Sequence, residues 1–269
     1  MVREEKTQQP LPKVTLTPIT QATTATFTNL YIHNTSLFFI ENGSKKVQYQ
    51  NGFELIGQTG DVLIFQPGSI VTMENRTWSG NDYKAIGVTF SKDMVEKIFS
   101  QINQNGKVKT VQIITPSASE KKQILNSITK NLSNSNIPNL IAEHRLLEPL
   151  VWLKSLGVEL NPNEDNSPLG KVRELIETDL THEWKARDIA EHFAMSEATM
   201  RRWLAKSGNS FSKILINTRL EKGLSQLQTT EIPISNIAFE CGFKTPSHFS
   251  ETFKMRFGVQ PKSIRASID

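Results

Sequence analysis

The sequence predicts a two-domain protein: a β-rich N-terminal half of the sandwich or small-barrel type with flanking helices, then an all-helical C-terminal half. Three observations predict it. From Val14 to Phe90 the chain runs in short alternating or β-branched stretches (TATFTNLYI, SLFFI, KKVQYQ, FELI, DVLIF, SIVTM, YKAIGVTF), the signature of antiparallel strands. Beyond Phe90 the apolar residues recur at helical spacing. Between the halves lies GVELNPNEDNSPLG, Gly157 to Gly170, with two prolines, three asparagines and little to bury, which reads as a boundary.

The opening MVREEKTQQPLPK is polar and proline-containing and reads as loose. The strands that follow are separated by Asn42-Gly43, Asn51-Gly52, Thr59-Gly60 and Pro67-Gly68, and the Asn-Gly pairs suit hairpin turns because both residues tolerate positive φ. Ser91 is placed to cap a helix, SKDMVEKIFSQI, with Met94, Val95, Ile98 and Ile102 on one face. A second helix is expected over 119–132 and a third over 139–156. In the third, Leu140, Ile141, Leu147, Leu150, Val151 and Leu156 form an apolar stripe, read first as core and alternatively as a dimer seam. The expected units are therefore 14–157, a linker 158–168, and 169–269.

The helical half contains two helix pairs of the same shape. DIAEHFAMSEATMRRWL carries Ile189-Ala190, small Ala194, apolar Met195, then Met200, Trp203 and Leu204; NIAFECGFKTPSHFSETF carries Ile237-Ala238, Gly242, Phe243, then Phe249 and Phe253. This is the helix-turn-helix pattern, over about 186–206 and 234–257, with a small alanine where the second helix crosses and a small residue at the turn. Two such units about fifty residues apart, joined by one continuous helix, are far more specific than one.

If Met200, Trp203 and Leu204 face inward, Ala198, Arg201, Arg202 and Ala205 face outward. An arginine fork there can donate two hydrogen bonds to a guanine edge. The base-contact candidates are Ala198, Arg201 (bases or backbone) and Arg202 in the first unit, and Ser247 and Glu251 in the second. Thr199, Lys206, Lys244, His248 and Lys254 are the backbone-contact candidates. Ser250 points outward too, and Glu251 repels phosphates and can read only a cytosine amino group or a protein surface, so the second unit is expected to discriminate bases less. The formal charge, +4, is a mild excess, and the helical half carries 15 basic against 12 acidic residues, so any electrostatic footprint is local.

These residues make the C-terminal hundred positions resemble the AraC/XylS family of bacterial transcriptional activators. The resemblance is carried by Trp184, Ile189-Ala190, Ser196, Phe211, Ile214, Arg219-Leu220, Ile237-Ala238, Gly242-Phe243 and the stretch Phe249-Ser250-Glu251-Thr252-Phe253-Lys254 with Phe257-Gly258-Val259-Gln260-Pro261. It implies two recognition helices in successive major grooves of promoter DNA and recruitment of RNA polymerase. Two departures stand out: Gly223, where the family usually has alanine, costs about 1 kcal/mol in an exposed helix interior, and Glu251 sits where arginine or another long polar residue is frequent.

SEATMRRWLAKSGNSFSKIL and GFELIGQTGDVLIFQPGSIVTM are similar to the branch that regulates toxins, adhesins and secretion systems in enteric and related pathogens, whose N-terminal half is a cupin-like barrel. That half is implied to bind a fatty acid or other small molecule, to answer a protein antagonist, or to dimerise, through the barrel or the helix at 139–156. Were a fatty acid bound, Lys45 or Lys46 is the candidate for its carboxylate, though the simpler reading of each is a solvated hairpin residue.

The rival class is a cupin-like small-molecule-binding protein or enzyme whose helical half does not bind DNA. It lacks support: His33 is the sole histidine of the β region, His144 lies in a helical segment, and Asp61 reads as turn chemistry, so no metal or other cofactor is expected. A DNA-repair protein carrying this helical domain would need a reactive cysteine, and Cys241, the single cysteine, falls in a scaffold helix. His182 and His192 lie near helix starts and faces of this half, and the outer face bearing Glu191 and His192 is left to phosphate or polymerase. With no apolar run long enough to span a bilayer and no disulfide pair, the expected compartment is the cytoplasm, with no membrane partner.

Overall fold

The computed structural model describes residues 14–49, 52–78, 80–99, 110–133, 138–162 and 165–265. The expectations for 1–13, Asn51, Ile102 and the last four positions lie outside the described residues. Its strands are β1 Val14–Gln21, β2 Ala25–Tyr31, β3 Thr35–Asn42, β4 Ser44–Gln48, β5 Glu54–Gln58, β6 Val62–Phe65, β7 Ile70–Arg76, β8 Tyr83–Phe90 and β9 Val111–Ile114. The helices are α1 Lys92–Phe99, α2 Ala118–Ser133, α3 Asn139–Ser155, α4 Pro168–Glu177, α5 Ala186–His192, α6 Glu197–Ala205, α7 Phe211–Thr229, α8 Ile234–Glu240, α9 Pro246–Phe257 and α10 Pro261–Ile264.

The strands form a five-stranded sheet, β1-β8-β3-β6-β9, and a four-stranded sheet, β2-β7-β4-β5. The described strand pairs are all antiparallel. This corrects the cupin-like barrel: among the described residues no strand pairing joins the sheets, so they do not close. The edge strands β1 and β2 follow each other in the chain yet pair with β8 and β7 rather than with each other. The helical half covers them instead, α7 packing on β1 and α9 on β2, which hides edges that would otherwise invite further pairing.

Period-two alternation distributes the side chains. In β6, buried throughout, Val62 and Ile64 face one core while Leu63 and Phe65 face another, as expected of a strand covered on both sides. The first core lies between the five-stranded sheet and α1 to α3, with Met94, Val95, Ile124, Ile128, Leu150 and Leu153. The second lies between the sheets, where Ile40, Leu63, Phe65 and Tyr83 meet Val47, Val71 and Met73.

Several local expectations are corrected. Ser91 precedes α1, but its Oγ is buried without a hydrogen-bond partner; its carbonyl accepts from Met94 and Val95 instead. The α3 stripe is only partly core: Leu150 is buried and Leu147 half-buried, while Leu140, Ile141, Val151 and Leu156 are exposed. In the stretch between the halves, Val158 and Leu160 are buried in the first core, and Gln66 holds the backbone of Glu159 and Asn161. Strand β9 was not read from the sequence. Among the described residues no helix is long and apolar enough to cross a membrane, and no group of three or more His, Cys, Asp or Glu is placed to hold a metal ion.

Candidate nucleic-acid interface

The two helix pairs, α5–α6 and α8–α9, are built by the same local chemistry. Each first helix stops at a left-handed residue, Ala194 with φ 51° and Gly242 with φ 78°. In the first stop, Met195 N–H donates to Ala190 O and Ala194 N–H to Glu191 O; in the second, Phe243 N–H donates to Ala238 O and Gly242 N–H to Phe239 O. Both are Schellman motifs, and the apolar residue that follows each left-handed position turns back into the core. The second helices then start on side-chain caps, Ser196 Oγ accepting from Thr199 N–H and Thr245 Oγ1 from His248 N–H, each at 3.2 Å.

The scaffold residues sit where the pairing requires. Ile189, Ala190, Met200 and Leu204 are buried in the first unit, and Trp203 is half-buried with its ring 5.3 Å from that of Phe193. In the second, Ile237, Ala238, Phe249 and Phe253 are buried. The helix α7 that joins the units is tied to the loop before the first by Arg219, which donates to Leu180 O at 3.0 Å and His182 O at 2.9 Å. Gly242 has to be glycine on a second count: a Cβ there would collide with Leu180 O and the Arg219 guanidinium.

Gly223 corrects the reading of a helix-interior penalty. It is buried, and a Cβ at this position would come within 2.7 Å of the Phe249 ring. The glycine lets α9 lie against α7, a close approach that no side chain permits.

On the outward side of α6, Ala198, Thr199, Arg201, Arg202, Ala205 and Lys206 are all exposed. Arg201 lies 3.5 Å from Glu197 one turn earlier, an exposed pair of little energetic weight. Arg202 has no side-chain partner among the described residues. On α9, Ser247, His248, Glu251 and Lys254 are exposed and Ser250 half-buried. His248 stacks edge-on against Phe243. Lys244 is engaged with Glu183 at 2.7 Å, both side chains being largely exposed, and this contact holds the Glu183 carboxyl below the usual carboxylate range.

Outside this face, Cys241 is buried and its thiol is pushed up to about 12 by desolvation, which leaves it unreactive at neutral pH. His33 is exposed, 3.8 Å from Glu177. Glu191 and His192 are exposed on α5, and Asp61 closes a turn by accepting from Gln58 N–H at 2.7 Å.

Of the two lysines considered for an effector, Lys46 is half-buried and pairs with Glu54 at 2.7 Å. Lys45 is not the solvated hairpin residue the sequence suggested. It lies on the same face of β4 as Val47 and is 4% exposed between the sheets. Its ammonium donates to Asn75 Oδ1 at 2.5 Å and lies 4.9 and 5.1 Å from the ring centres of Phe38 and Tyr83. Desolvation lowers it from the ordinary lysine range to about 7. The spacing of Lys45 and Val47 in a two-residue period carried this signal and was missed.

Comparison with known proteins agrees with this geometry. A family model described as a helix-turn-helix domain matches residues 189–267. The transcriptional regulator YdeO of Shigella flexneri is 25% identical over 216 residues, covering 74% of this chain and 81% of that protein. SirC of Salmonella typhimurium, another transcriptional regulator, is 34% identical over 99 residues, 37% of this chain and 34% of its own. Among solved structures, ToxT from Vibrio cholerae O395 has the same fold, with a TM-score of 0.66 and 19% identity over 93% of this chain and 97% of that one. With duplicated units of matching cap and stop chemistry, a helix-turn-helix family model over 189–267 and these relatives, the chain is a helix-turn-helix, DNA-binding transcriptional regulator, similar to YdeO and SirC in sequence and to ToxT in fold.

Proposed function

We propose that this regulator activates transcription by laying α6 and α9 in successive major grooves of promoter DNA, with 169–269 as the DNA-binding unit, 158–168 as linker and 14–157 as the controlling unit. In this reading Arg202 reads base edges and Arg201 bases or backbone, with Ala198 leaving room for close approach. Ser247 and Glu251 face bases in the second groove, while Thr199, Lys206, Lys244, His248 and Lys254 hold phosphates. The observation that carries it is the pair of identically stopped and capped helix units, with Arg202 unpartnered on the exposed side of the first.

RNA polymerase is the further partner, and the outward face of α5, with exposed Glu191 and His192, is open to phosphate or to polymerase. The controlled genes are adhesin, toxin or secretion genes, as the branch resemblance supports. A small-molecule effector, a fatty acid or similar carboxylic acid, acts on the N-terminal half. ToxT has been solved with an unsaturated fatty acid bound, and Lys45, a buried ammonium whose described contacts include no carboxylate, supports the same chemistry here. The exposed Leu140, Ile141, Val151 and Leu156 of α3 favour a homodimer through that helix.

A mobility shift on genomic promoter fragments, repeated across a salt series, tests the reading. Wild type is expected to bind specifically. Arg202→Ala is expected to lose about 1–3 kcal/mol of discrimination with an unchanged circular dichroism spectrum. Equal binding of all fragments by both proteins would reject base reading by α6.

A further inference from the structure

Between the N-terminal sheets and the helical half lies a cavity of about 190 Å³ whose described lining contains three cations, Arg173, Lys213 and Arg256, and no carboxylate. It is walled by the bulge of β2 at Asn29, by Asn209 in the loop after α6, and by Asn217 on α7, so amide groups fill out a polar lining. Arg173 is 4% exposed. Arg173 and Arg256 share one acid, Glu221 of α7, Arg173 bonding one carboxylate oxygen and Arg256 the other at 2.6 Å. The side chains of Arg256 and Glu221 are 13% and 11% exposed.

Both arginines keep Nε buried with no hydrogen-bond partner. Two further acids lie near but do not line the cavity: Asp165 accepts from the Tyr31 and Ser167 hydroxyls, while Glu177 faces His33 and lines an adjoining cleft that shares Tyr31 and Arg173 with the cavity. Arg173 and Arg256, which share Glu221, and Lys213, exposed at the mouth, make the described lining of the cavity itself positive. The backbone is bent to this place as well. Asn29 is one of two described residues other than glycine with positive φ, at 50°, and its carbonyl accepts from Arg256 Nη2 at 3.3 Å. A conformation of this kind costs roughly 1–3 kcal/mol and persists where the surroundings hold it.

We infer that this cavity is a binding site for a small oxyanion, a phosphate or a short dicarboxylate, held by Arg173, Arg256 and Lys213 together. Guanidinium forks match the oxygen spacing of both groups. The volume is enough for such an ion. An anion here would touch β2, the loop that ends the first helix-turn-helix unit, and α7 and α9 of the second. It would therefore tie the N-terminal half to both DNA-binding units. Binding at this joint is independent of which bases α6 reads.

The test is thermal unfolding and calorimetric titration of the full chain with sodium phosphate and, separately, malonate, each against sodium chloride at matched ionic strength. A saturable rise in Tm above the chloride control is expected with at least one of them: phosphate alone assigns a phosphate-type ligand, malonate alone a dicarboxylate, and both a general oxyanion site. Arg256→Gln is expected to weaken the response at least fivefold. Lys213→Gln, an exposed substitution that does not disturb the buried pair, is expected to weaken it several-fold and gives the readout should Arg256→Gln fail to fold. Arg202→Ala, on the DNA face, is expected to retain the full response. No rise beyond chloride, a wild-type response in Lys213→Gln, or loss of the response in Arg202→Ala would overturn the assignment.

Discussion

Phe27, in the second strand of the N-terminal half, meets Phe257, in the last turn of α9, edge to face with ring centres 5.4 Å apart. Through this contact Phe27 and Ala25 become members of the core of the second helix-turn-helix unit, alongside Phe249 and Phe253. Around the same joint, Ala22 N–H donates to Ile264 O at 3.1 Å, and Gln228 of α7 donates to Gln21 Oε1 at 2.8 Å. The strand β2 is thus both an edge of a sheet and a wall of the DNA-binding half.

Removing that ring opens a hole shared by both halves. Phe27 is 1% exposed, and truncating a buried phenylalanine costs about 3–5 kcal/mol. Phe27→Ala is expected to lower stability by that amount in urea unfolding followed by circular dichroism, with the helical signal falling in the same transition as the sheet. A loss below 1 kcal/mol would mean that the two halves do not share a core.

The glycine and alanine positions of the helical half give opposite expectations. At Gly223 helix propensity favours alanine by about 1 kcal/mol. The added methyl would lie 2.7 Å from the Phe249 ring, and overpacking costs about 1–3 kcal/mol, so Gly223→Ala is expected to destabilise on balance. At Ala194, with φ 51°, the side chain sits in the left-handed region, and Ala194→Gly is expected to gain about 1 kcal/mol. Tm values for the two variants check both signs; a stabilised Gly223→Ala would show that α7 and α9 are further apart than described.

Lys45 makes stability depend on pH. Burial brings its ammonium down to about 7 in the folded protein, against 10.5 for an ordinary lysine. Between these values the unfolded chain holds a proton that the folded chain does not, so stability rises with pH across this window. The penalty is full below pH 7 and fades toward 10.5. Asn75, Met73, Phe38 and Tyr83 are the groups placed on the ammonium. The stability difference between Lys45→Met and wild type, measured by urea unfolding from pH 6 to pH 10, is expected to shrink by a few kcal/mol in total. A difference that stays constant with pH would mean that Lys45 is solvated.

The helical half was legible because its chemistry is local. Ala194, Gly242, Ser196 and Thr245 each act on residues within five positions, so their spacing announces the turn and the cap. The strands were legible from alternation and Asn-Gly turns for the same reason. What escaped depends on distant partners. Closure of a barrel is decided by whether β1 and β2 pair with each other, and helices more than 180 residues away occupy those edges instead. Gly223 looked like a propensity defect until Phe249 was placed beside it. Arg173, Glu221 and Arg256 are spread over three helices, and no short-range pattern links them. Lys45 was misread because a charged residue beside a turn suggests solvent, although its two-residue spacing from Val47 pointed inward.

The most direct measurement of the central claim is purine methylation interference on a promoter fragment bound by the full chain. Two recognition helices in successive major grooves are expected to give two clusters of interfering guanines about 10 base pairs apart, with Arg202→Ala erasing the pattern in one cluster and leaving the other. A single cluster, or a pattern untouched by Arg202→Ala, would contradict the account.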